Sequence, residues 1–98
     1  MIRSAVRLRS VALSMQFYVY AIYSSLTDKI YIGQTKDLVK RLYDHKHGYS
    51  PYTSRAKDWE LFYKEICTSR GSALKREKQL KSYRGREYLR SLLDGNDK

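Results

Sequence analysis

Two aromatic and β-branched runs, residues 17–24 (FYVYAIYS) and 30–34 (IYIGQ), are separated only by SLTDK. A parallel pair needs a crossover of a dozen or more residues, and this linker is far too short for one. The two runs therefore predict an antiparallel hairpin, with Asp28 as the local turn former. Both faces of the first run are apolar, which predicts a central strand covered on both sides.

The remaining elements follow from capping residues and periodicity. Thr35 or Asp37 can cap a helix that runs to about His47 and ends at Gly48, with Leu38, Val39 and Leu42 as its apolar arc. Residues 48–58 (GYSPYTSRAKD) are a polar loop with one proline and room for a helical turn. Residues 59–67 (WELFYKEIC) predict a third strand. Strict alternation puts Trp59, Leu61, Tyr63 and Glu65 on one face and Phe62, Lys64 and Ile66 on the other. Ser69 is a good N-cap for a helix through about Tyr83, interrupted at Gly85 before a short last helix, REYLRSLL. The order is β-β-α-β-α-α, an α/β (α+β) domain with a small three-stranded antiparallel sheet and flanking helices. The domain is expected over residues 16–93, with a flexible basic arm at 1–15 and a flexible tail at 94–98.

The chain has 20 Lys and Arg against 10 Asp and Glu in 98 residues, a formal charge of +10. Such an excess concentrates polyanions, DNA or RNA, at the surface. A soluble basic surface without that role is the alternative. Only Arg3, Arg7 and Arg9 fall in the acid-free first 14 residues, so the charge belongs mainly to the domain. A single cysteine, Cys67, excludes an intrachain disulfide framework and argues for core packing. No apolar run is long enough to span a membrane, and the start lacks the apolar stretch of a secretory signal. A cytoplasmic location with no membrane partner is expected.

One residue is oddly placed. In the helix SRGSALKREKQLKSY, projection at 100° per residue gives an apolar arc of Ala73, Leu74 and Leu80, and Glu77 falls inside it. A carboxylate on a packing face must be paired or must hold a metal. An ion pair at the sheet edge is the ordinary solution, and a metal-ligand or base role is the other. On the first helix, Arg41 and His45 are one turn apart and share a face. Arg41 can clamp a phosphate with its forked donors. His45 can donate a hydrogen bond or pass a proton, or can simply favour the helix C-terminus. Tyr20 and Tyr31 lie on the two hairpin strands. Gly33 permits close backbone approach beside them. Lys46, Arg55 and Lys57, with Tyr49 and Tyr52, mix cations and aromatics in and around the loop, a combination that suits phosphate contact and base stacking. Lys75, Lys78, Lys81, Arg84 and Arg86 form a second basic stripe. There is no phosphate-binding glycine loop, nucleophile elbow or zinc-ligand cluster.

The run YVYAIYSSLTDKIYIGQTKDLVKRLYDH resembles the GIY-YIG nuclease superfamily. The second triplet is intact as Tyr31-Ile32-Gly33. The first is Tyr18-Val19-Tyr20, so only its tyrosine matches. The loop, third strand and SALKREKQLKSYRGREYLRSL are similar to compact stand-alone bacterial members, and the resemblance covers about residues 16–93. It implies that Arg41 stabilises a phosphate, that Glu77 binds one divalent ion, Mg²⁺ or Mn²⁺, and that Tyr20 and Tyr31 are the catalytic tyrosines, with Tyr31 slightly favoured as the base. His45 matches a histidine often found one turn after the arginine. The asparagine that larger relatives carry after the glutamate helix has no counterpart nearer than Asn96. The implied function is a metal-dependent endonuclease or structure-selective nuclease of low sequence specificity, acting on DNA ahead of RNA. The alternative is a non-catalytic nucleic-acid-binding module or an adaptor in DNA repair or recombination. A protein partner or self-association is compatible with either.

Overall fold

The hairpin forms as its spacing requires. The computed structural model describes residues 16–95; the basic arm and Asn96 lie outside them. Strands β1 (Phe17–Ser24) and β2 (Lys29–Thr35) pair antiparallel, from Tyr18 opposite Thr35 to Ser24 opposite Lys29. Asp28 turns the chain at a positive φ of 54°. Its carboxylate accepts from the Tyr23 hydroxyl and from Arg90, each at 2.8 Å. Strand β3 (Glu60–Cys67) pairs antiparallel with the other side of β1, giving the order β2-β1-β3. The doubly apolar strand is therefore central, and β2 and β3 are the edges.

Helix α1 (Leu38–Lys46) starts at Asp37, whose carboxylate accepts the Lys40 N–H at 3.1 Å. A short 3₁₀ turn, Pro51–Thr53, occupies the polar loop. Helix α2 (Arg70–Lys81) is capped by Ser69, which accepts the Ser72 N–H at 3.0 Å, and helix α3 (Tyr83–Leu93) follows at once. None of the described helices is long and apolar enough to cross a membrane.

The helices cover both faces of the sheet. On one face α1 and the loop before β3 bury Tyr20, Ile22, Ala56 and Trp59, with Leu38, Leu42 and Leu61 packed around them. On the other, α2 and α3 bury Val19, Ala21, Ile32, Cys67, Ala73, Leu80 and Leu89. Each fully buried aliphatic side chain contributes about 1.5–3 kcal/mol relative to exposure.

Three local readings are corrected. Strand β3 does not alternate strictly, because its register with β1 slips by one at Phe62: Ala21 faces Tyr63 but Ile22 faces Leu61. This bulge sends Leu61 to the α1 face and Tyr63 to the α2 face, so the two do not share a side. The break between the last two helices falls at Ser82, not Gly85. The Ser82 hydroxyl donates to the Gln79 carbonyl at 2.6 Å and accepts the Gly85 N–H at 3.2 Å, closing one helix and capping the next. Finally, Val39 (80% exposed) and Leu74 (47%) face outward and do not belong to the packing arcs.

Gly85 has a different task. It lies in the first turn of α3, pressed against the end of α2. A Cβ there would sit 2.5 Å from the Leu80 Cα and carbonyl oxygen and would also strike the Gln79 carbonyl. Backbone cannot yield as a side-chain tip can. Gly85→Ala is therefore expected to destabilise the chain by about 1–3 kcal/mol, read as a lowered urea midpoint. Gly71→Ala, with open space around it, should not.

Candidate active site

The site is built on the α1 face of the hairpin. Tyr20 is in the central strand directly opposite Gly33 in β2. Tyr31, two residues before Gly33, points to the same face. The Tyr20 ring lies across Gly33: a Cβ at that position would be 2.8 Å from the Tyr20 hydroxyl oxygen and 3.1 Å from Tyr31 Cε2. Only a glycine leaves room for both rings at once.

Helix α1 supplies the third ring. His45 is fully buried, with its centroid 5.7 Å from that of Tyr20 and 5.0 Å from that of Tyr31. Both of its ring nitrogens are engaged. Nε2 is 2.8 Å from the Tyr20 hydroxyl and Nδ1 is 2.7 Å from the Thr53 hydroxyl. Thr53 Oγ1 donates to the Ser50 carbonyl at 3.5 Å, so it accepts from His45 Nδ1–H. Nε2 is then the acceptor for the Tyr20 O–H. The chain of bonds runs in one direction, from sheet to helix to loop.

The electrostatics agree with that direction. Burial raises the Tyr20 phenol well above its ordinary value. Neighbouring Tyr31 raises it further, and Arg41 only partly opposes them. Tyr20 therefore stays protonated. Burial lowers His45 to about 4, helped by the positive charge of Arg41 and opposed by Asp44. His45 is neutral at physiological pH and reaches the site only through Tyr20.

Arg41, one turn before His45, is half-buried beside both tyrosine hydroxyls. Burial disfavours its charge, but the two phenols more than offset this. The guanidinium stays charged with donors to spare.

Glu77 approaches from the opposite helix layer, on α2. Its carboxylate is near enough to add to the cost of ionising Tyr20. Its side chain is 17% exposed and pairs with Lys81 Nζ at 2.7 Å. Lys81 is itself 46% exposed at the last turn of α2, so the pair is not sealed. Among the described residues no three His, Cys, Asp or Glu side chains converge as a metal cage. The Glu77 carboxylate, paired only with a lysine that is itself open to solvent, could hold one hard cation that keeps most of its water.

Tyr20, Tyr31, Gly33, Arg41 and His45, from three elements, are thus brought together, and Glu77, on a fourth, is near enough to act on Tyr20. Of the basic residues singled out in the sequence, Arg55, Lys81 and Arg86 line hollows against Tyr31. Lys46, Lys57, Lys75, Lys78 and Arg84 are exposed and line neither hollow. Sequence reading missed Thr53, whose role depends on a turn that only Pro51 hinted at, and Lys29, which joins Arg55 in its hollow.

Fold and site define a class: small α/β domains in which two hairpin tyrosines and a helix arginine meet on a three-stranded antiparallel sheet, with a glutamate on a second helix near enough to act on one of the tyrosines. The chain belongs to the GIY-YIG family, whose catalytic-domain model matches residues 16–89. It is similar to a UPF0213 protein of Staphylococcus epidermidis, 34% identical over 67% of this chain and 82% of the relative. A UPF0213 protein of Staphylococcus saprophyticus is 30% identical over 80% of this chain and 95% of the relative. One of Staphylococcus aureus is 32% identical over 74% and 89%. No solved structure is significantly similar to the chain.

The neutral, buried His45 has a consequence for stability. Its value in the fold is about 4, against an ordinary value of 6.5. Between these limits the unfolded chain binds the extra proton. Stability is therefore complete above the ordinary value and is lost as pH falls towards the lower one, by up to ~3 kcal/mol. Urea unfolding at pH 5 should show a lower midpoint than at pH 7.5, and His45→Gln should flatten that slope. An unchanged wild-type midpoint between those two values would contradict a buried neutral histidine.

Proposed function

We propose that the chain is a divalent-metal-dependent endonuclease that hydrolyses phosphodiester bonds in nucleic acid, DNA ahead of RNA, with low sequence specificity. One observation carries this reading: Arg41, two tyrosine hydroxyls and the Glu77 carboxylate share one electrostatic environment. Membership in a family defined by a nuclease catalytic domain supports it. So does the formal charge of +10.

In this reading the residues divide the work. Arg41 binds the non-bridging oxygens of the target phosphate through its forked donors and offsets the charge that develops there. Tyr31 is half-buried, with its hydroxyl beside the Arg41 guanidinium. It positions the attacking water and is the better placed of the two tyrosines to take a proton from it. Tyr20, fixed by His45 and kept protonated, sets the position of Arg41 and Tyr31. Glu77 would hold one divalent ion, Mg²⁺ or Mn²⁺. That ion, when bound, supplies positive charge to the phosphoryl group and acidifies water. Contacts of this kind position the backbone without reading sequence.

The Glu77–Lys81 pair is the one observation that favours a second reading, a non-catalytic nucleic-acid-binding module or an adaptor in DNA repair. A metal and Lys81 compete for the same carboxylate.

Labelled linear, branched and flapped substrates separate the two readings. Cleavage is expected with Mg²⁺ or Mn²⁺ and none with EDTA. Glu77→Gln and Arg41→Ala should each lower the rate by at least about 100-fold, with folding unchanged. Well-folded wild type that cuts nothing, with binding intact in both variants, would replace the nuclease with the binding module.

A further inference from the structure

Strand β2 is an edge strand, and its outer side is lined by two hollows that meet there. One, of about 420 Å³, carries Lys29 and Arg55 in its wall; the other, of about 400 Å³, carries Lys81 and Arg86. Ile30, Tyr31 and Tyr52 belong to both. The result is one groove with cations at each end, of which Lys81 is paired with Glu77, two tyrosines in the middle and no carboxylate among its lining residues. Each hollow is the size of a single small ligand, far too small to seat a duplex.

Tyr52 is the unexplained part. Its ring is 84% exposed, although it follows a proline on a turn that is firmly held. Ser50 and Thr53 on either side are buried, and the Thr53 carbonyl accepts the buried Trp59 indole N–H at 2.8 Å. A rigid turn thus presents an aromatic face to solvent beside Tyr31, and packing does not use that face. An aromatic platform between cations is what an unpaired base with flanking phosphates recognises. Bases inside a duplex have both faces occupied and cannot use it.

We propose that this edge groove binds an unpaired nucleic-acid strand. One base stacks on Tyr52, and the flanking phosphates contact Lys29 and Arg55 on one side and Lys81 and Arg86 on the other. The target phosphate beside Tyr31 then lies in a single-stranded segment, such as a flap, gap or free end. The placement of that phosphate rests on the nuclease reading above. The binding mode does not, and its test is kept separate.

The experiment is fluorescence anisotropy in EDTA, where no cleavage occurs. The probes are a labelled mixed-sequence DNA strand, the same sequence as a blunt duplex, and the equivalent RNA strand. The single strand should bind at least about tenfold more tightly than the duplex. Tyr52→Ala should weaken single-strand binding by about 5- to 100-fold and leave duplex binding unchanged, while Tyr52→Phe retains the affinity. Arg55→Ala and Arg86→Ala should each lower the salt slope by about one. Matching thermal melts show that these exposed positions leave the fold intact. The RNA strand binding within a few-fold of the DNA strand also supports the proposal, because neither stacking nor phosphate contact reads the 2′-hydroxyl. Equal affinity for duplex and single strand, or no loss in Tyr52→Ala, overturns it. A protein that cuts duplex DNA with no dependence on Tyr52 keeps the nuclease and loses the groove. One that binds single strands through Tyr52 but cuts nothing keeps the groove and loses the nuclease.

Discussion

The buried bond chain from Tyr20 through His45 to Thr53 ties together three parts of the molecule that are distant in sequence. Tyr20 belongs to the central strand, His45 to the last turn of α1, and Thr53 to the turn after it. All three are almost wholly buried, so each polar atom needs its partner or carries a desolvation penalty. That requirement fixes the rotation of α1, because His45 can satisfy both nitrogens in one orientation only. Once α1 is fixed, Arg41 is fixed one turn away, beside the two phenols. The turn that holds Thr53 also holds Tyr52 next to it and receives the Trp59 indole. A single polar chain thus sets both the phosphate-facing arginine and the aromatic rim of the edge groove.

Gly33 is the condition that makes this arrangement possible. Tyr20 must cross over β2 to reach His45, and any side chain opposite it would occupy that path. The Tyr31-Ile32-Gly33 triplet is therefore legible as mechanics. Its tyrosine supplies the outward phenol, its isoleucine (2% exposed) faces the opposite core, and its glycine clears the passage between strands.

What was legible in the sequence was what local periodicity and capping determine. The hairpin followed from a linker too short for a crossover, the central strand from two apolar faces, and α1 from Asp37 and Gly48. Glu77 stood out because a carboxylate sat within an apolar arc, and the fold does tuck it in, paired with Lys81. What escaped depends on distant neighbours. The bulge at Phe62 arises from the register of β3 on β1, which no alternation in β3 alone reveals. Leu74 looked like core because helix projection cannot know where the sheet ends. The Ser82 break was misplaced to Gly85 because a glycine reads as a stop, whereas here it is a point of close helix contact. Thr53 could not be found at all, since nothing local marks a threonine that must face a histidine from another element.

The position of the site at a sheet edge reconciles two demands. Tyr20 and His45 need a dry environment, and burial supplies it. A polymer substrate needs an open path that the chain can enter sideways, without threading. An edge strand with a helix layer on either side offers both, since residues from the two layers approach around its free side while solvent remains outside it. Arg41 on one layer lies beside the two phenols, and Glu77 on the other is near enough to act on Tyr20. The same geometry explains the loose Glu77–Lys81 pair. The lysine neutralises a carboxylate whose side chain is only 17% exposed. Lys81, 46% exposed, also lines the groove along β2, so the ion pair sits where that groove and the carboxylate adjoin.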